Sequence, residues 1–129
     1  MALPAEDVLA IQQLYARYNH AIDSGNAEAW ADCFTDDATF DAQPVGPLRG
    51  RDALIEFARN YSQNVRGRHW TNNLLLEEAE GGARGTCYLI LFRLGEGGAT
   101  PWITGIYRDE LTREDNGWRF TSRTMTSDA

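Results

Sequence analysis

Four stretches in the second half of the chain decide the fold: His69-Trp-Thr-Asn-Asn-Leu-Leu-Leu-Glu-Glu-Ala-Glu80, Arg84-Gly-Thr-Cys-Tyr-Leu-Ile-Leu-Phe-Arg-Leu94, Trp102-Ile-Thr-Gly-Ile-Tyr-Arg-Asp-Glu-Leu111 and Trp118-Arg-Phe-Thr-Ser-Arg-Thr-Met125. Thr, Ile, Leu, Tyr and Trp recur in them, and helix signals are few. Gly81-Gly82, Gly95-Glu-Gly-Gly98 and Asp115-Asn-Gly117 separate them, each with the chemistry of a hairpin loop. Long extended segments joined by such turns predict a largely antiparallel sheet.

Upstream the period is helical. From Asp7, the residues Val8, Ile11, Tyr15, Tyr18 and Ile22 recur at three- and four-residue steps, which lays them along one helix face. Pro4 opens this helix and Ser24-Gly25 closes it. Asn26 caps a second, shorter helix carrying Trp30 and Phe34. Thr35-Asp36-Asp37 then turns the chain into a β-like Ala38 to Asp41. A loop with Pro44, Gly46, Pro47 and Gly50 leads to a third helix, Asp52 to Asn64, with Leu54, Ile55, Phe57, Ala58 and Tyr61 inward. Helices first and strands after predict an α+β fold, a curved sheet wrapped around three N-terminal helices. No repeat or linker divides the sequence, so residues 1–129 are expected to form one domain.

The composition, 43% hydrophobic and 24% charged, is that of an ordinary globular domain. A net charge of −7 repels polyphosphates and anionic lipid head groups, which argues against nucleic-acid and membrane-surface roles. No apolar run approaches the roughly 20 residues that a bilayer demands, and Met1-Ala-Leu-Pro-Ala-Glu6 lacks the plan of a signal peptide, so a cytoplasmic protein is expected. Cys33 and Cys87 are far apart, outside any metal or redox spacing, and are expected to be free thiols. His20 and His69 have no ligand spacing and no acid cluster beside them, so no metal is expected. Gly95-Glu-Gly-Gly98 lacks the strand-then-helix context of a phosphate-binding loop, so no organic cofactor is expected either.

Tyr18 and Asp23 late in helix one, Trp30, Phe34-Thr-Asp-Asp37-Ala, Gly50, His69 with Asn73, Gly105-x-Tyr107-x-Asp109, Gly117-Trp118-Arg119 and Arg123 follow in one order. This whole-chain pattern resembles the SnoaL-like branch of the nuclear-transport-factor-2-like superfamily. The resemblance implies a cone-shaped α+β barrel whose open end admits a small, mostly apolar molecule, and a homodimer formed through the outer sheet face. The superfamily spans dehydratases, ketosteroid isomerases, polyketide cyclases and members with no known catalysis, so function rests on the side chains that face the cone.

Its dehydratases are similar to this chain in having a Tyr and an Asp in the first helix and a His where His69 stands. A carboxylate that fixes an imidazole's tautomer and stabilises the imidazolium readies it to take a proton near neutral pH. The candidate catalytic residues are therefore His69, oriented by Asp23, with Tyr18 hydrogen-bonding a substrate oxygen. Tyr18 and Asp23 diverge by roughly 140° around the helix, so they do not share a narrow face. The alternatives are a turn aspartate before Ser24-Gly25 and a core tyrosine.

Strict strand alternation puts His69, Thr71 and Asn73 on one face and Trp70, Asn72 and Leu74 on the other. The first set is read toward the cavity, although Trp70 and Leu74 could instead form its wall. The scytalone-type dehydratases carry a second acid or histidine on the following strand, where Cys87 or Tyr88 stands here. Asn73, Trp30, Phe34, Cys87, Tyr88 and Tyr107 are the candidate contacts to a small hydrophobic or aromatic ligand. His20 is read as a surface side chain, and Asp109 with Arg123 as a cross-strand structural pair. Two functions follow: a cofactor-free lyase or isomerase of the dehydratase type acting on a cyclic or polyketide-like molecule, and a non-catalytic binding module or accessory subunit.

Overall fold

Pro4 stands at the N-cap of α1 (Ala5–Ser24), and Gly25, in the left-handed region at φ 77°, closes it through its N–H to the carbonyls of Ala21 and Ile22. Asn26 then caps α2 (Ala27–Ala31) by accepting the Ala29 N–H at 3.1 Å. This computed structural model describes residues 2–129.

The remaining elements are β1 (Phe34–Ala42), β2 (Val45–Arg49), α3 (Arg51–Asn64), β3 (Gly67–Ala79), β4 (Gly82–Gly95), β5 (Gly98–Glu114) and β6 (Gly117–Ser127). The four quoted stretches are thus β3 to β6. Two expectations are corrected. Phe34 and Thr35-Asp36-Asp37 lie within β1 rather than in a helix and a turn, because this segment pairs in parallel with β6, Phe34 opposite Phe120. The Pro-rich loop contains β2, which pairs with β1 through Thr39 opposite Arg49 and Phe40 opposite Leu48.

The sheet runs β2-β1-β6-β5-β4-β3, antiparallel except for β1 against β6. It is curved but does not close, so β2 and β3 are edges and the expected barrel is an open one. Alternation along β4 turns Ala83, Cys87, Leu89 and Leu91 to the helices and Arg84 and Tyr88 away. The helices fill the concave face with Ile11, Leu14, Tyr18, Trp30 and Leu54, all essentially inaccessible. Among the described residues no helix is long and apolar enough to cross a membrane.

The edge strand β3 carries the irregularity that shapes the site. Asn72 faces Tyr88 and Leu75 faces Thr86, so one extra residue of β3 is accommodated between two ladder positions. Asn73 absorbs it with φ 55°, a conformation that asparagine tolerates better than most residues.

Candidate active site

Seven residues of α1, Gln12, Tyr15, Ala16, Asn19, His20, Asp23 and Ser24, line one side of a cleft of about 890 Å³. Their spacing of three and four residues puts them on a single helix face. The opposite wall is the first half of β3, including His69, Thr71 and Leu74, and Cys87 of β4 joins them.

The cleft holds a closely made Asp–His pair. Asp23 ends α1 and His69 begins β3, and His69 Nδ1 lies 2.6 Å from Asp23 Oδ1. The same carboxylate accepts the His69 backbone N–H, at 3.0 Å to Oδ2 and 3.2 Å to Oδ1. One carboxylate therefore fixes both the strand's start and the ring. The two side chains are 13% and 7% exposed, so water competes little for these bonds. Because Asp23 is held as an acceptor, the neutral imidazole carries its proton on Nδ1 and leaves Nε2 with a free lone pair. Nε2 makes no hydrogen bond among the described residues, yet it is not sealed from solvent. On the far side the Tyr61 ring of α3 packs at 5.9 Å between centroids. Burial, and then the Asp23 charge, pushes the Tyr61 phenol up, so it stays neutral.

Beneath the cleft lies a buried ionic network. Tyr15 donates its hydroxyl to Asp109 Oδ2 at 2.5 Å. Arg123 donates to the same carboxylate through Nε at 2.9 Å and Nη2 at 3.2 Å. Three donors converging on two oxygens hold Asp109 as a carboxylate, although burial pushes its carboxyl up. Asp109 and Arg123 are in direct register across β5 and β6, a cross-strand pair whose side chains are fully buried. Arg123 also reaches Cys87 Sγ at 3.7 Å and lies 3.5 Å over the Tyr107 ring. Burial pushes the Cys87 thiol up to about 11 in spite of Arg123, so it contributes a neutral, apolar patch of floor.

The structure brings together His69, Asp23 and Cys87 and separates the other candidates. Tyr18 does not line the cleft: it turns into the core, where its ring packs on Trp30 and Phe34 and against Tyr107 and Phe120. Trp30, Phe34 and Tyr107 are buried in that same cluster, away from the cleft. Tyr88 is 51% exposed on the outer face, since alternation opposes it to Cys87. Asn73 is displaced by the β3 irregularity: it is exposed, it donates to Asn72 Oδ1 at 2.7 Å, and Leu74 takes the inward place.

Two residues that the sequence reading did not assign to the site lie in it. His20 is exposed, as expected of a surface side chain, but at the mouth of this cleft. Asn19 donates through Nδ2 to Thr71 Oγ1 at 3.0 Å across the cleft. Counting back from Asp23 by three and four residues finds both, whereas the apolar stripe through Tyr18 does not. Among the described residues no group of three or more His, Cys, Asp and Glu could hold a metal ion.

A SnoaL-like domain model matches residues 4–124. The γ-hexachlorocyclohexane dehydrochlorinase of Sphingobium indicum is 28% identical over 121 residues, which span 88% of this chain and 76% of that protein. A solved protein of unknown function from Mycobacterium tuberculosis is 36% identical at TM-score 0.88, covering 94% of this chain and 71% of its own. A structure from Catenulispora acidiphila in complex with S-DNPA is 28% identical at TM-score 0.87, covering 97% and 96% respectively. The match runs from the start of α1 into β6 and so takes in every element that builds the cleft, and on it the chain belongs to the SnoaL-like family.

Proposed function

We propose that the cleft performs cofactor-free proton transfer of the lyase or isomerase type on a small cyclic, hydrophobic or polyketide-like molecule, with His69 as the base. The observation that carries this reading is the 2.6 Å bond between Asp23 Oδ1 and His69 Nδ1. It leaves Nε2 as the proton acceptor and places a negative charge beside the imidazolium that forms. The backbone N–H clamp keeps the ring aimed while the charge develops. In an elimination, the C–H pair becomes the new double bond and the leaving group departs with its own bonding pair. That is the class of reaction that the name of the Sphingobium relative states for that enzyme. Tyr18 serves by packing behind α1 rather than by touching the substrate, while Cys87 and Leu74 supply apolar wall.

A non-catalytic binding module is favoured by one feature: the inward positions Gly85, Cys87, Leu89 and Leu91 of β4 offer no second acid or base. Turnover decides between the readings. γ-Hexachlorocyclohexane and a panel of cyclic β-hydroxyketones are offered to the wild type, His69→Ala, Asp23→Asn and the double variant. Each single variant should lose about 10³-fold or more, and the double variant little beyond that, because the two side chains act as one unit. Turnover that survives His69→Ala removes the base, and ligand binding with no turnover of any of these compounds favours the module.

The same reading includes a homodimer through the outer sheet face, where Trp70, Tyr88 and Trp102 are 58%, 51% and 42% exposed. Sedimentation at micromolar concentration should give twice the 14.5 kDa chain mass, and a single 14.5 kDa species would contradict it. The free, buried Cys33 and Cys87 suit a reducing cytoplasm.

A further inference from the structure

Tyr61, in the last turn of α3, holds its ring 5.9 Å from the His69 imidazole, and Phe57, one helical turn earlier, backs it at 6.1 Å. Phe57 in turn packs on Trp30 and Phe40, at 5.7 and 5.6 Å between centroids. Two rings thus join the imidazole to the packed core. The Tyr61 hydroxyl is sealed from solvent and has no hydrogen-bond partner among the described residues, a costly state that native structures rarely keep. Its surroundings give it a steric role instead. Gly67 and His69 are two residues apart on the inward face of β3, and a Cβ built on Gly67 would fall onto the Tyr61 oxygen. The hydroxyl therefore occupies the volume that a side chain at position 67 would take.

We propose that Tyr61 is a positioning residue for His69, wedged by its hydroxyl against Gly67 so that its ring sets the tilt of the imidazole, a role that rests on His69 being the base of the cleft. The Asp23 bond fixes Nδ1, one corner of the ring. Nε2, the corner that takes the proton, lies across the ring and can still swing about that point. A packed aromatic neighbour removes this freedom. Aim matters, because a displacement of about 1 Å at a reacting group can cost about 10²-fold in rate. Tyr61→Phe opens a gap over Gly67 and lets both rings loosen. Gly67→Ala alone drives its methyl into the hydroxyl and pushes the Tyr61 ring toward His69. Together the two substitutions exchange an oxygen on one side of the contact for a carbon on the other. Gly67 does not have the left-handed backbone that disfavours a side chain, and its remaining close neighbour, Leu91 Cδ1 at 3.0 Å from such a Cβ, is the end of a flexible chain.

The test compares Tyr61→Phe, Gly67→Ala and the double variant by urea unfolding, by the ¹⁵N resonances of the His69 ring, and by turnover of γ-hexachlorocyclohexane or a cyclic β-hydroxyketone. Tyr61→Phe should be at least as stable as the wild type, because it removes a buried hydroxyl without a partner. It should nevertheless displace the His69 resonances and lower kcat by about tenfold with KM within about twofold, a pattern that a merely structural residue does not give. Gly67→Ala should displace the same resonances, and Gly67→Ala/Tyr61→Phe should return them and bring kcat to within about twofold of the wild type. If Gly67→Ala fails to fold, Tyr61→Phe and the double variant decide. Wild-type His69 resonances in Tyr61→Phe, or a double variant no nearer the wild type than Tyr61→Phe, overturn the proposal. The spectra need no substrate, so turnover that survives His69→Ala would remove the base while the resonances still decide whether Tyr61 holds the ring.

Discussion

Replacing Arg123 by Met takes the guanidinium out of the centre of the core and leaves Asp109 behind. Both side chains are 0% exposed, so solvent does not replace the two lost bonds of 2.9 and 3.2 Å. Only the Tyr15 hydroxyl then remains on the carboxylate. Breaking a buried ion pair from one side costs about 3–5 kcal/mol. Methionine fills much of the same volume, so the cavity contribution is small. The loss of the cation from above Tyr107 and Tyr18, at 3.5 and 4.4 Å, adds to the cost.

About 4 kcal/mol is a quarter or more of the roughly 5–15 kcal/mol that stabilises a typical domain. In urea, with a slope near 2 kcal/mol/M, the midpoint should fall by about 2 M. Arg123→Met/Asp109→Leu should recover to within about 1 kcal/mol of the wild type, because an apolar pair replaces a buried ionic one at little net cost. The pH sign follows from Asp109. Burial raises its carboxyl, Arg123 opposes the rise, and the single variant removes the opposition. A carboxyl raised in the folded state favours folding while protonated and penalises it as it ionises, so the deficit should shrink as pH falls from 7 toward 4. The double variant lacks the group and serves as the reference. A single variant within 1 kcal/mol of wild type, or a double variant no better than the single, would refute this account of the core.

Burial pushes both Cys33 and Cys87 up from 9.0 to about 11, so at pH 8 their thiolate fraction, and their reaction with a disulfide reagent, should be about 100-fold below that of an ordinary thiol. The stability due to these neutral thiols is full below pH 9 and is lost as pH rises toward about 11; labelling at pH 8 as fast as that of a small thiol would contradict it. Asn73→Val should cost about 1–2 kcal/mol in thermal unfolding and Asn73→Gly nothing, since φ 55° is open to glycine and strained for a β-branched residue. Equal effects of the two would place the β3 irregularity elsewhere.

The change of period was legible because β4 to β6 each bury one face and expose the other, as with Cys87 against Tyr88. The segment Val45–Arg49 was not, since Pro44 and Pro47 mark it as a loop and only its pairing at the sheet edge makes it a strand. Asn73 failed for a different reason. A period of two carries a face assignment correctly only until an extra residue enters, after which Asn73 and Leu74 exchange sides. The Asp23–His69 pairing was suggested by a family resemblance and not by spacing, because 46 residues separate the two in the sequence. Asn19 and His20 were hidden by measuring the helix from its apolar stripe. Measured from Asp23, they fall on its own face.

If Asp23 holds His69 as a base with a bare Nε2, the proton positions on that ring must show it. Long-range ¹H–¹⁵N correlation spectra of the ¹⁵N-labelled chain distinguish the two neutral tautomers, with the exposed His20 as reference in the same spectrum. Neutral His69 should be protonated at Nδ1 in the wild type. In Asp23→Asn the single amide oxygen takes the His69 backbone N–H and the amide nitrogen faces Nδ1, so the proton should move to Nε2. A wild-type His69 protonated at Nε2, or a tautomer indifferent to Asp23→Asn, would contradict it.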